Sequence, residues 1–203
     1  MASDTYLTLA ESPPPSLFKD RKSKFIGYAF PVQSRDEVKP ILEHLKKEHH
    51  SARHWCYAYR IGIENIVERA NDDGEPSNSA GMPILNQIKA KNLTNVLVVI
   101  VRYFGGIKLG VGGLINAYKT AAQMVLEQAP IVEKIRTRKL EVIFNYNDMN
   151  KVMRIVKEHR LHILKQDLNE TGKLLLEIRL DDFEKIYTLF DSIHTLVACK
   201  ASE

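Results

Sequence analysis

The apolar positions of this chain change their spacing from segment to segment, and the changes mark its elements. Phe25, Ile26, Tyr28, Phe30 and Val32 are strand formers in one short run, so residues 25–32 read as a strand. Ser34 followed by Glu37 is a capping-box pattern, and Val38, Ile41, Leu42 and Leu45 behind it have helical spacing. His54 to Ile61 alternates and is rich in aromatics, which predicts a second strand. Asn71 to Gly81 contains Asp72, Asp73, Gly74, Pro76, Asn78 and Gly81 and reads as a turn, with a short helix over 82–90. Asn95 to Tyr103, with its apolar run Val96 to Val101, is the clearest strand, apolar enough to be buried on both faces. Gly105 to Gly113 reads as a glycine-rich loop. Leu114, Ala117, Tyr118, Ala121, Val125 and Leu126 then mark one face of a helix ending near Pro130. Pro13, Pro14 and Pro15 predict an extended lead-in.

A boundary is expected near Pro130 to Lys134, dividing the chain into domains 1–134 and 135–203. Beyond it the pattern gives strand (139–144), helix (148–159), strand (163–168), turn (169–172), strand (173–180), helix (182–193) and strand (196–201). That order, β-α-β-β-α-β, is the ferredoxin-like arrangement. The fold class expected is therefore α+β.

Composition adds mainly exclusions. Hydrophobic residues at 44% and charged residues at 27% are ordinary for a globular protein. The longest apolar run falls far short of the roughly 20 residues of a membrane-spanning helix. Residues 1–10 lack a basic segment followed by an apolar core, so no signal peptide is expected. Cys56 and Cys199 are far apart and imply no disulfide framework, which fits a reducing cytoplasm. The net charge of +4 does not demand nucleic acid, yet charge is unevenly placed. Residues 19–60 hold ten basic and five acidic residues; residues 64–75 hold one and five. A polarised face could steer a charged partner.

Three segments could carry chemistry. The turn places Asp72, Asp73 and Glu75 within four residues, oxygen ligands of the kind Mg²⁺ takes, though not at EF-hand spacing. The glycine loop, between a buried strand and a helix, suits an anion: glycines let backbone N–H groups approach, and Arg102 and Lys108 add positive charge. It matches neither a Walker A loop, because Val111 and Gly112 follow Gly110, nor a dinucleotide fingerprint, because of Ile115. His54 and Cys56 share a strand face, a conceivable catalytic pair, but no second ligand pair at zinc spacing exists. Arg53 and Arg60 flank the same strand, with Tyr57 and Tyr59 between them, a combination that suits single-stranded nucleic acid.

Taken together, Ser51 to Arg60, Asp72 to Leu85, the string Arg102-Tyr103-Phe104-Gly105-Gly106-Ile107-Lys108-Leu109-Gly110, then Gly112-Gly113-Leu114 and Ala117-Tyr118, closely resemble the YigZ/IMPACT family. The leading Lys22-Ser23-Lys24-Phe25-Ile26 fits as well. The resemblance implies a first domain like elongation factor G domain IV and ribosomal-protein S-five-type folds, and the ferredoxin-like second domain of bacterial members. It also implies translational regulation in eukaryotic relatives. Asn78 and Ser79 stand where the family usually has Gly-Thr. The function expected is a binding module linked to translation, recognising RNA, the ribosome or a ribosome-associated protein through Arg53, His54, Arg60, Asp72, Asp73, Glu75, Arg102, Gly105, Gly106, Lys108 and Gly110. No cofactor or metal is expected. The alternatives are an Mg²⁺-dependent hydrolase of phosphate esters or peptides using Asp72, Asp73 and Glu75, and a protein-interaction adaptor without nucleic-acid affinity.

Overall fold

The computed structural model describes residues 4–169, 171–193, 195–196 and 198–202, without the side chains of 198–202. The chain packs as two compact units, residues 6–134 and residues 135–203 with the first residues of the chain.

In the first unit the strands are β1 (Thr5–Leu9), β2 (Ser16–Asp20), β3 (Ser23–Pro31), β4 (His54–Ile61), β5 (Val67–Asn71), β6 (Val96–Tyr103) and β7 (Ile131–Ile135). The helices are α1 (Val38–Glu48), α2 (Gly81–Ala90) and α3 (Gly110–Gln128). Five strands form one antiparallel sheet in the order β2-β3-β6-β4-β5, and β1 pairs with β7. The apolar run of β6 takes the centre. Val96, Val98 and Ile100 face α2 and α3, while Leu97, Val99 and Val101 face α1. This strand is buried on both faces because helices cover both, as its composition predicts. The capping box at Ser34 and Glu37 is present, closing a short 3₁₀ turn ahead of α1.

Several elements depart from the sequence expectation. β1, β2, β5 and β7 have no clear apolar period; β5 in particular is Val-Glu-Arg-Ala-Asn on a sheet edge, where pairing rather than burial makes the strand. The glycine loop is shorter than expected. Gly110 to Gly113 form the first turn of α3, so the loop proper spans 104–109.

The second unit holds β8 (Thr137–Phe144), α4 (Met149–Glu158), β9 (His162–Leu168), β10 (Gly172–Arg179), α5 (Leu180–Asp191) and β11 (Ala198–Ser202). Its sheet order, β11-β8-β10-β9 with every pairing antiparallel, is that of a ferredoxin-like fold. Leu140, Val142, Phe144, Leu174, Leu176 and Ile178 pack against Val152 and Val156 of α4 and Phe183, Ile186 and Phe190 of α5. Of the last strand expected, Val197 and the side chain of Cys199 lie outside the described residues. The molecule is thus an α+β protein. Among the described residues no helix is long and apolar enough to cross a membrane.

Candidate functional site

The turn after β5 is held by its own acidic residues. Asp72 Oδ1 accepts hydrogen bonds from the backbone N–H groups of Ala80 (2.9 Å) and Gly81 (2.8 Å), and Oδ2 accepts one from Asn78 (2.9 Å). One carboxylate therefore closes a nine-residue excursion and serves the orphan donors at the start of α2, where negative charge is favoured. Asp73 Oδ2 accepts the Trp55 N–H at 2.8 Å, and its carbonyl accepts from His54 Nδ1 at 2.9 Å. Asn78 takes the left-handed conformation, φ +60°, and Ser79 Oγ donates to the Pro76 carbonyl at 2.6 Å. The Asn-Ser pair thereby supplies a residue tolerant of that conformation, as the Gly it replaces would, and keeps a hydroxyl.

Glu75 turns inward. Its Oε1 accepts from Arg102 Nη1 at 2.5 Å and from the Tyr118 hydroxyl at 2.8 Å, with side-chain exposures of 4% for Glu75 and 5% for Arg102. Arg102 lies on β6 opposite His54 of β4, and its guanidinium sits 5.4 Å from the ring centres of both Phe25 and Phe104. A buried pair with this much hydrogen bonding is costly to break but adds little net charge to its surroundings. His54 Nδ1 faces a carbonyl, which only accepts, so it carries the proton in the neutral ring. Nε2 is left 3.9 Å from Glu75 Oε1.

Cys56 is fully buried, with Sγ 3.0 Å from the Asp72 carbonyl oxygen and 3.3 Å from the Tyr118 hydroxyl. Burial pushes its thiol well above the usual range. The Tyr118 hydrogen bond offsets part of that, and the carboxylates of Glu75, Asp73 and Asp72 add to it. Tyr118 is raised too, by burial first and then by Cys56 and Glu75. A thiol held protonated and out of reach is a poor nucleophile, so the Cys–His reading is set aside.

The loop between β6 and α3 folds onto the β2–β3 turn. A Cβ on Gly105 would lie 2.1 Å from the Lys22 carbonyl carbon, so only glycine permits this approach, and the Gly105 N–H reaches Ser23 Oγ at 3.2 Å. The loop and the acidic turn meet along an open groove of about 390 Å³, lined by His54, Glu75, Pro76, Arg102, Phe104 and Lys108 with Leu109, Gly110, Val111 and Leu114 of the α3 start. Two of the lining side chains are apolar and exposed, Phe104 by 47% and Val111 by 53%, and Ile107 in the adjoining loop is exposed by 44%.

The structure thus gathers His54, Glu75, Arg102, Lys108 and Gly110 at one groove. Gly105 and Gly106 lie in the adjoining loop, and Asp72 and Asp73 act from behind the turn. Arg53 is exposed at the start of β4, its N–H bonded to the Arg102 carbonyl. Arg60 does not join them. Six residues beyond His54 along β4, roughly 20 Å away, it hydrogen-bonds the Leu93 carbonyl at 2.9 Å and pairs with Glu68 at 3.3 Å. The basic–aromatic platform on β4 also dissolves, because Tyr57 and Tyr59 point into the α1 side of the sheet, away from Arg60. The carboxylates of the acidic turn diverge to separate partners, and among the described residues no group of three His, Cys, Asp or Glu is arranged to hold a metal. What pattern reading missed was Tyr118, Val111 and Phe104. The first looks like a core position on the helical stripe, and the other two carry no charge.

Comparison with known proteins agrees with the motifs. The Impact N-terminal domain matches residues 21–126. A Bacillus subtilis protein, IMPACT family member YvyE, is 39% identical over 137 residues, 68% of this chain and 63% of that protein's length. An IMPACT family member of Haemophilus influenzae is 31% identical over 160 residues, 78% of each chain. The fold of a crystal structure described as a hypothetical protein superposes with a TM-score of 0.69, covering 98% of this chain and 97% of the other at 24% identity. The match to the Bacillus protein covers less than two thirds of its length, and the same motifs that line the groove fall inside the matched domain. With that domain spanning 106 of 203 residues, this chain belongs to the IMPACT family.

Proposed function

We propose that this chain is a protein-recognition module linked to translation, and that it engages a translation-associated partner through the groove between the 72–80 turn and the start of α3. The link to translation rests on family membership and on the regulatory role that the family resemblance implies for eukaryotic relatives. The observation that carries the choice of a protein partner is the apolar wall: Phe104 and Val111 line the groove and stand exposed, and Ile107 is exposed in the adjoining loop. Exposed apolar side chains beside polar ones at a groove are a feature of protein interaction sites.

RNA is the less favoured partner on this geometry. Of the cations named from the sequence, Arg102 is spent on Glu75 and Arg60 on Glu68 and Leu93. Phosphate-backbone binding needs several free cations. The hydrolase reading fares worse, because Asp72, Asp73 and Glu75 already serve backbone amides, Arg102 and Tyr118. The test is a photo-crosslinking residue at Val111, irradiated in lysate. Recovery of ribosomal proteins or translation factors, lost when Phe104 is changed to Ala, is the expected outcome. Recovery of RNA alone, or of no translation-associated protein, overturns the reading.

A further inference from the structure

We infer that the first unit carries a second surface, at the end of its sheet on the α1 side, that binds the phosphate backbone of RNA through Lys19 and Lys24 and the Arg21–Lys22 turn between them. This goes beyond the protein-recognition reading above. The groove opens on the α2–α3 side of the sheet, where Arg102 is spent on Glu75. The cations on the α1 side are free.

The first observation is a like-charged pair. Lys19 of β2 stands directly opposite Lys24 of β3, and Lys24 stands opposite Tyr103 of β6. Residues opposite one another share a face, so the three form one row across the strands. Tyr103 packs with Leu97, Val99 and Val101, which puts the row on the α1 side. Two lysines with Cβ atoms about 5 Å apart repel each other and lower stability. Both are exposed, and among the described residues neither forms an ion pair. An anion held between them turns that repulsion into attraction.

The second observation is the turn that joins these strands. Asp20 pairs with Ser23, which leaves Arg21 and Lys22 as a two-residue turn, with φ +42° and +67°. A turn with both central residues at positive φ favours Asn-Gly, because a Cβ is crowded there. Here it holds two long cations, both exposed and neither in an ion pair among the described residues. The geometry of the turn asks for neither residue, and what the two add is charge. Residues held in unfavourable backbone conformations cluster at binding sites.

Two further cations reach the same end of the sheet. The exposed Arg53 bonds its N–H to the Arg102 carbonyl, beside the end of β6. His49, the C-cap of α1, has Nδ1 2.8 Å from the Tyr103 hydroxyl, which brings the exposed Lys47 of the last helical turn to this end as well.

Composition chooses the partner. Protein interfaces have an apolar or aromatic centre and are depleted in lysine. Nucleic-acid interfaces are far more positive. Among the described residues of β2, β3 and their turn, one large apolar side chain is exposed, Leu17. A strand of repeating phosphate monoanions fits such a surface, and in a translation-linked protein that strand is RNA.

The experiment is fluorescence anisotropy of the full chain with a labelled oligouridylate of about 15 nucleotides, over a salt series. Four phosphate contacts give a slope of about −3 in log affinity against log salt, so each doubling of salt is expected to weaken binding about seven-fold. Lys24→Glu sets a carboxylate opposite Lys19. It is expected to weaken RNA binding at least about ten-fold while the thermal midpoint holds or rises, because an opposite-charge pair replaces a like one. Lys119→Glu makes the same charge change at an exposed position of α3, on the other side of the sheet, and is expected to stay within about two-fold of the parent. Equal weakening by the two variants reduces the effect to net charge and overturns the surface. So does the absence of binding at about 50 mM salt. Displacement of the RNA by polyglutamate of the same length at equal concentration overturns RNA in favour of an acidic protein, and tighter binding of oligothymidylate overturns it in favour of DNA. The Val111 crosslink is read separately: its failure with RNA binding intact overturns the groove reading alone, and the reverse overturns this one alone.

Discussion

The acidic turn at 72–80 and the glycine loop at 104–109 face one another across a groove, and they handle polar groups in opposite ways. The turn has more charge in its sequence and less to offer a partner. Asp72 holds three backbone N–H groups, Asp73 holds the start of β4, and Glu75 is locked to Arg102 and Tyr118. The loop has one exposed cation, Lys108, but it leads into a helix whose first-turn donors no side chain caps. Formal charge counts what a segment carries. Recognition depends on what remains after the fold has used its share.

That contrast can be broken most forcefully at Arg102. Changing Arg102 to Met strands the Glu75 carboxylate in the interior. It is expected to lower stability by about 3–5 kcal/mol, read as a fall in the urea midpoint. Lys108→Glu, a charge reversal on the loop side, is expected to leave that midpoint within about 0.5 kcal/mol of the parent. Equal losses from the two changes would erase the distinction between spent and free charge.

A second comparison uses Asp72→Ala, which frees the N–H groups of Asn78, Ala80 and Gly81 together. A loss of about 2 kcal/mol is expected, with hydrogen exchange speeding first in the initial turn of α2. A protein as stable as the parent would mean that water replaces the carboxylate without cost.

The glycines sharpen the same point with small effects of opposite sign. Gly105→Ala forces a methyl against the Lys22 backbone and is expected to cost about 1–3 kcal/mol. Gly112→Ala places its methyl in open space inside a helix and is expected to stabilise by about 0.5–1 kcal/mol. Thermal melts of the two variants should therefore move in opposite directions.

The smallest effect at neutral pH lies behind the turn. The folded state holds the Cys56 thiol above its unfolded value, chiefly by burial. A raised folded value means that the unfolded chain loses its proton first. The contribution of Cys56 is then complete below about pH 8.5 and declines above it, by up to about 1.4 kcal/mol per pH unit. Denaturation between pH 8 and 10 should show this slope, and Cys56→Ala should flatten it. An unchanged slope in the variant would assign the loss to other groups.

Much of the architecture was legible in the pattern of the chain. The central strand, α1 with its capping box, β4 and the ferredoxin-like order of residues 137–202 follow from periodicity, because a buried face must repeat its apolar residues at the period of its element. The edge strands β2 and β5 and the β1–β7 pair were not legible. Their backbone hydrogen bonds go to distant segments, and no local pattern records them. The site divides the same way. The family motifs mark the residues of the groove, but they treat Arg60 and Arg102 alike as basic and Asp72 and Glu75 alike as acidic.

The sequence by itself determined the helices and the central strands β3, β4 and β6 of the first unit, the order of elements in residues 137–202, and which stretch between Arg53 and Gly113 is chemically unusual. Local propensity and hydrophobic period act over a few residues and need no knowledge of the rest of the chain. Only the tertiary structure decided that Glu75 is consumed by Arg102 and Tyr118, that Arg60 points away, and that Gly110 and Gly112 open onto space while Gly105 touches backbone. Each of these is a statement about a partner far off in sequence, 27 residues for Glu75 and Arg102 and 43 for Glu75 and Tyr118. Whether a charge is neutralised, or a donor left free, is fixed by the groups that folding brings beside it.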